Sequence, residues 1–215
     1  MSEQQTEEWL QSRLGKATAS RCHDIIAKLK TTGGYAASRR EYLGELLIER
    51  LSGRPTRRYQ SDAMRHGIEL EPEARREYAF RPGVDHVVEV GFVDHPTIAM
   101  SGCSPDGLVN DDGLVELKCP LPHTHLDALH GVKPPIRYIT QCHWQLACTR
   151  RKWCDLVFYC PDYPRPKRLL IYHIQADPKI IAALEQEVSD FLAELDREWE
   201  FVHSDEAYED EEQAA

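Results

Sequence analysis

The sequence predicts an α/β fold with a central mixed β-sheet flanked by helices. Three observations lead there. Apolar residues recur at three- and four-residue steps through the first third, short β-branched runs fill the middle, and a helix, two strands and an amphipathic helix close the chain.

Taken in order, Thr18 or Ser20 can cap a first helix through Ile25, Ile26 and Leu29, stopping before Gly33-Gly34. Leu43, Leu46, Leu47 and Leu51 mark a second, ended by Gly53 and Pro55. A third starts near Ser61-Asp62 and carries Met64, Ile68, Glu71, Arg75 and Tyr78 on one row, with Pro72 expected to kink or restart it. Strands are expected over 86–93, 98–103 and 114–119, where β-branched residues lie between turn signals. Ile136, Ile139 and Leu146 then mark a helix, followed by strands over 153–159 and 168–174. The last helix opens with Asp177-Pro178, cap and first-turn proline, and buries Ile181, Leu184, Val188, Phe191, Leu192 and Leu195.

At 215 residues the chain fits one domain, expected over residues 1–202, able to bury a core without disulfides. No apolar run approaches the roughly 20 residues needed to span a bilayer. The polar start MSEQQTEEWLQ has no apolar signal core, so a cytoplasmic location is expected and no membrane role. The seven cysteines contain no Cys-x-x-Cys and read as free thiols. Cys119, His123, His125 and His130 lack the second close pair that a zinc site needs.

The net charge of −10 argues against a nucleic-acid partner until its distribution is read. From Glu185 onward thirteen acids face one base, so that segment carries −12 and the rest of the chain +2. Between Trp9 and Ile68, twelve Lys and Arg face five acids, an excess that suits a phosphate-binding surface as well as a solvated helical face. Residues 203–215 have the composition of a disordered, acidic tail.

The run SGCSPDGLVNDDGLVELKCP, Ser101 to Pro120, holds the chemistry. A strand places side chains two apart on one face, so Glu116 and Lys118 point together toward a space that Asp106 can reach from the preceding turn. Two carboxylates suit Mg²⁺, a hard cation that keeps several waters, and a neighbouring lysine can orient or deprotonate one of them. That chemistry is phosphodiester hydrolysis. The bland alternative is a hairpin with a surface Glu/Lys pair, but Ser104-Pro105, Gly107 and Pro120 bound the turn and strand cleanly. Glu71, on the inward row of the third helix, is a further acid in need of a partner.

Four stretches in order resemble the phage lambda exonuclease type of alkaline exonuclease, of the YqaJ-like viral recombinase family within the PD-(D/E)xK nuclease superfamily. They are RLGKATASRCHDIIAK (Arg13 to Lys28), GIELEPEARREYAF (Gly67 to Phe80), CSPDGLVNDDGLVELKCP (Cys103 to Pro120), and the segment from Ile139-Thr140-Gln141 to Thr149-Arg150-Arg151-Lys152. The resemblance spans about residues 9 to 200.

It implies a restriction-endonuclease-like PD-(D/E)xK core and a Mg²⁺-dependent enzyme, with two ions and Mn²⁺ as a substitute. Such an enzyme digests double-stranded DNA processively from the 5′ end, releases mononucleotides and leaves 3′ overhangs for recombination by strand annealing. A homotrimeric ring and a single-strand annealing partner are implied with it. By position, Asp106, Glu116 and the carbonyl of Leu117 should bind metal, and Glu71 the second metal or its water. Lys118 should activate the attacking water, and Gln141 should hold that lysine or the water. Arg13 matches the receiver of the 5′ phosphate, with Ser20 and Ser104 as hydroxyl donors to it. Met64 matches an apolar wedge at the duplex end, and Lys30 a phosphate contact. Other readings are an endonuclease or junction resolvase on the same fold, or a DNA-binding protein with a dead site. Arg13 with Ser20 opposes the first, since an end-binding pocket is useless to an internal cutter, and the intact Asp106, Glu116 and Lys118 oppose the second.

Overall fold

The computed structural model describes residues 4, 6–29, 31, 33–56 and 61–204. Lys30 and the acidic segment from residue 205 onward lie outside the described residues.

The chain begins with a short helix α1 (Glu7–Ser12), which Thr6 caps by accepting from the Trp9 amide at 3.2 Å. Strand β1 (Ala17–Thr18), a tight turn over Ala19–Arg21 and helix α2 (Cys22–Ile26) follow. Neither Thr18 nor Ser20 caps α2 with its side chain, against the sequence expectation, because Thr18 is drawn into a sheet. The helix also stops short of Leu29, as Ala27 turns to extended backbone and Lys28 bridges to Tyr35.

Helix α3 (Ala37–Ser52) ends on Gly53 at φ 63°, a left-handed conformation that favours glycine. Helix α4 (Asp62–Ala79) is capped by Ser61, whose Oγ accepts from the Met64 amide at 3.3 Å. Pro72 lies within it without ending it, so the expected restart does not occur.

Strands β2 (Val87–Val88) and β3 (Val93–Asp94) replace the single strand expected over 86–93, because the two ends of that run pair in different sheets. Strand β4 is only Ser101–Cys103, since Met100 takes φ 56° and breaks the extended run. Strand β5 (Gly107–Val109), turned by Asn110 at φ 46°, hairpins onto β6 (Gly113–Lys118). Helices α5 (Pro122–Leu129) and α6 (Ile136–Thr149) lead to β7 (Trp153–Tyr159). The short helix α7 (Arg165–Arg168), β8 (Leu169–Gln175) and the long α8 (Pro178–His203), capped by Asp177, complete the described chain.

The larger sheet has the order β2-β5-β6-β7-β8, in which β6 and β7 run parallel and the other pairs antiparallel. A smaller sheet, β1-β4-β3, sets Thr18 beside Gly102. The fold is thus the mixed α/β arrangement with helices flanking the sheet. Alternation splits β6 and β7 between two cores: Val115, Leu117, Val157 and Tyr159 pack with Ala74 and Tyr78 of α4, while Leu114, Leu156 and Phe158 pack with Cys142 and Leu146 of α6. A third core joins α2, α3, α6 and α8 through Ile25, Tyr42, Leu46, Trp144, Val188 and Phe191. Glu116 therefore faces α6 from a strand buried on both sides.

Candidate active site

Glu116 and Lys118 occupy one face of β6, as the two-residue period requires, and Lys118 Nζ lies 2.5 Å from Glu116 Oε1. Gln141 of α6 donates to the same oxygen at 2.7 Å, and Gln145, one turn on, donates to Oε2 at 2.6 Å. A carboxylate 2% exposed needs such partners, and here three donors supply them. Gln141 thus holds Glu116, the residue it shares with Lys118, rather than Lys118 itself.

Asp106, immediately before β5, reaches across the hairpin's open end. Its Oδ2 accepts from the Leu117 amide at 2.6 Å, where β5 has not yet begun and no ladder bond is made. Since the N–H and C=O of one strand residue point to the same edge, the Leu117 carbonyl also faces the Asp106 side. Asp106 Oδ1 accepts no hydrogen bond from the described residues. Burial first, then the charges of Glu116 and Glu71, push the Asp106 pKa well above the usual carboxylate value.

Glu71 joins this electrostatic cluster from α4. Burial raises its pKa, Arg75 opposes that, and Glu116 adds to it. Its carboxylate is held by Arg75 Nη2 at 2.6 Å, while the same guanidinium donates to the Asp106 carbonyl at 2.9 Å and reaches Glu89 at 2.7 Å. The neighbouring acid Glu73 instead accepts from Tyr159 at 2.6 Å, away from the cluster. Burial disfavours the charge on Lys118, but Glu116 and Asp106 outweigh it and hold its pKa above the ordinary lysine value. In this arrangement Lys118 is an ammonium that donates.

Do these residues fit a divalent cation? Among the described residues, no three His, Cys, Asp or Glu side chains converge as ready-made ligands, and Glu71 is held by Arg75. The donor chemistry nevertheless fits. Burial and the charges of Glu116 and Glu71 raise the Asp106 pKa, Asp106 Oδ1 is uncommitted among the described residues, a carbonyl oxygen lies on its side, and Glu116 keeps an unused lone pair. Asp106, Glu116 and Leu117 form the fitting set, with Glu71, whose Oε1 is held by Arg75, in the same electrostatic cluster.

Beside Asp106 opens a cavity of about 190 Å³ whose walls include Arg13, Ser20, Ser104 and Gln141. The expected phosphate residues and part of the expected catalytic set therefore share one space. Arg13 also lines an adjoining cleft of about 480 Å³, together with Lys16, Arg21, Met64 and Ile68. Burial lowers the Arg13 pKa, and no carboxylate among the described residues lies within ion-pair distance of it. Its guanidinium sits 4.3 Å over the Trp9 ring. Met64 is 52% exposed in the cleft rather than a core residue. Sequence reasoning missed Arg75 and Gln145, although each lies four residues beyond a site residue on the same helix, and missed Trp9, four residues before Arg13, the residue that caps the end of α1.

Comparison with known proteins gives the family. The model of the YqaJ-like viral recombinase domain matches residues 8–152. LHK-Exo, an alkaline exonuclease from Laribacter hongkongensis, is 47% identical with a TM-score of 0.84, over 92% of this chain and 96% of that one, and has also been solved in complex with dAMP. A phage-related exonuclease from Haemophilus somnus 129PT superposes with a TM-score of 0.70 at 16% identity, over 85% and 94% of the two chains, which shows the shared fold. No curated protein matches significantly. With the family's model covering most of its length and an alkaline exonuclease nearly half identical to it, the chain belongs to the YqaJ-like viral recombinase family and is a nuclease.

Proposed function

We propose that the chain is a Mg²⁺-dependent exonuclease that resects double-stranded DNA from 5′ ends, processively, releasing mononucleotides and leaving 3′ overhangs for strand annealing. The observation that carries this reading is the single cavity walled by Asp106 and Gln141 on one side and by Arg13, Ser20 and Ser104 on another. A guanidinium with no ion-pair partner among the described residues, in the same cavity as Asp106 of the carboxylate cluster, suits a terminal phosphate next to the bond to be cut. The dAMP bound to LHK-Exo is a mononucleotide, the expected product class.

Asp106, Glu116 and the Leu117 carbonyl hold the cation, with Glu71 beside them. Bound there, a divalent cation acidifies water and screens charge on the phosphate. Lys118 positions the attacking water through its N–H donors, while Gln141 and Gln145 fix the Glu116 carboxylate. Arg13 receives the 5′ phosphate with Ser20 and Ser104 as donors, and Met64 wedges between strands at the duplex end. Mn²⁺ can replace Mg²⁺, and Lys30 adds a phosphate contact from outside the described residues. The catalytic unit spans residues 1–202, with the acidic segment as a solubilising tail. It works in the cytoplasm as a ring-shaped homotrimer beside a single-strand annealing protein. Among the described residues no helix is long and apolar enough to cross a membrane.

The test is digestion of linear duplexes with 5′-phosphate or 5′-hydroxyl ends, in Mg²⁺ and in chelator. Metal-dependent release of mononucleotides that favours phosphorylated ends supports the reading. Cutting of closed circles rejects it.

A further inference from the structure

We infer that Trp9 is a positioning residue, one that aims both Arg13 and Ser104 at the terminal phosphate and thereby sets the preference for phosphorylated ends. The inference rests on reading the small cavity as the phosphate pocket.

Two contacts carry it. The indole Nε1 donates to Ser104 Oγ at 2.8 Å, and the Arg13 guanidinium stacks over the same indole at 4.3 Å. An indole N–H can only donate, so Ser104 must accept from it, which leaves the hydroxyl proton for another acceptor. No further hydrogen bond to Ser104 Oγ exists among the described residues, and the side chain lines the cavity. A hydroxyl oriented in this way presents its proton to an anion. The cation–π contact does the matching job for Arg13, because the indole face desolvates and restrains the guanidinium without taking a hydrogen-bond acceptor's place, so its N–H groups remain for an anion.

Trp9 also joins two parts of the chain that must keep register. Arg13 comes from the end of α1, and Ser104 from the loop that leads two residues later to Asp106. Gln4 braces the same junction, donating to the Pro105 carbonyl at 2.9 Å and to the Val90 carbonyl at 3.3 Å. Through Trp9 the pocket that would hold the end is tied to the loop of the carboxylate that would act on the next bond.

The readout is the ratio of digestion rates on 5′-phosphate and 5′-hydroxyl duplexes, which a merely structural loss would leave unchanged by lowering both rates alike. Trp9→Phe keeps a ring face but loses the donor, and should lower the ratio about fivefold, mainly through KM. Trp9→Leu loses both contacts and should lower it further, about tenfold or more. In a Ser104→Ala background, Trp9→Phe should add little, because the bond it removes is already gone. Melting curves establish that each variant folds, and if Trp9→Leu does not, Trp9→Phe with and without Ser104→Ala still decides. An unchanged ratio in the folded Trp9 variants, beside a collapsed ratio in Arg13→Ala, overturns the role of Trp9 and leaves the phosphate pocket standing. An unchanged ratio in Arg13→Ala overturns the pocket reading itself, and the role of Trp9 with it.

Discussion

Gln145 Nε2 donates to Glu116 Oε2 at 2.6 Å, on the opposite side of the carboxylate from Oε1, which Lys118 and Gln141 share. Glu116 is thereby gripped from two successive turns of α6 as well as from its own strand.

Gln145→Leu should therefore free the carboxylate without touching the substrate space. Losing a donor to a buried charged group costs about 1–3 kcal/mol. The net loss should fall toward the low end, because Gln145 Oε1 is buried without a partner and the leucine removes that burden too. The nuclease rate should drop about tenfold as Glu116 loses its orientation. Chemical denaturation and single-turnover cleavage check the two effects separately, and a variant equal to the parent in both would show that Glu116 does not depend on this bond.

Lys118→Ala should keep DNA binding and lose cleavage by a factor of about 100 or more, the range expected for a group that positions or moves a proton. Binding is read by fluorescence anisotropy in Ca²⁺ and cleavage by product release in Mg²⁺. Parallel loss of binding and cleavage would make Lys118 a DNA contact instead.

The parts of the fold legible in the sequence are those whose signal is local. Strand β6 shows as Leu114, Val115 and Leu117 around Glu116, between Gly113 and Pro120, and α8 shows as a proline-led cap with regular apolar steps. The run over 86–93 reads as one strand because only tertiary pairing, with β5 near one end and β4 at the other, divides it. Three residues of β5 are too few to carry a period, and β1 has only two. For the site, residue types and spacing pointed to the acids and the lysine. What holds them was only half visible: the four-residue spacing from Glu71 to Arg75 and from Gln141 to Gln145 puts each pair on one helix face, but the contacts to the Asp106 carbonyl and to Glu116 join different elements and leave no mark in linear spacing.

Gly102→Ala should destabilise the loop that presents Asp106. A Cβ there would lie 2.4 Å from the Val93 carbonyl oxygen and 2.5 Å from the Phe92 ring, with the backbone unable to yield as a flexible side chain would. Relief requires β4 to part from β3, and β4 runs directly into Ser104 and Asp106. Overpacking of this kind costs about 1–3 kcal/mol, and thermal melting should show it together with lost nuclease activity.

Stability should fall as the solution is acidified through the histidine range. Burial lowers the pKa of His95, against Glu185, and likewise that of His143, so each prefers to be neutral in the folded chain. His95 Nδ1 accepts from the Ile98 amide at 3.1 Å and its ring stacks on Trp144, an arrangement that protonation would break. With folded values below the unfolded ones, this contribution is present above about pH 6.5 and is lost as pH falls through the folded values. Melting temperatures measured between pH 8 and pH 5 should decline less steeply in His95→Gln.

Asp106→Asn should be inactive yet more stable than the parent when divalent metal is absent. Asp106 is ionised in the unfolded chain at neutral pH, whereas burial and the charges of Glu116 and Glu71 raise its folded pKa, so the ionised carboxylate works against folding. Asparagine keeps an oxygen for the Leu117 amide and removes the repulsion. A gain of about 1 kcal/mol would raise the melting temperature by about 2–4 °C in chelator. Added Mg²⁺ should stabilise the parent and leave the variant nearly unmoved, since the cation is what would offset the crowded charge. Destabilisation of the variant in chelator would instead mean that the Asp106 charge is balanced by Arg75 and Lys118 without any metal.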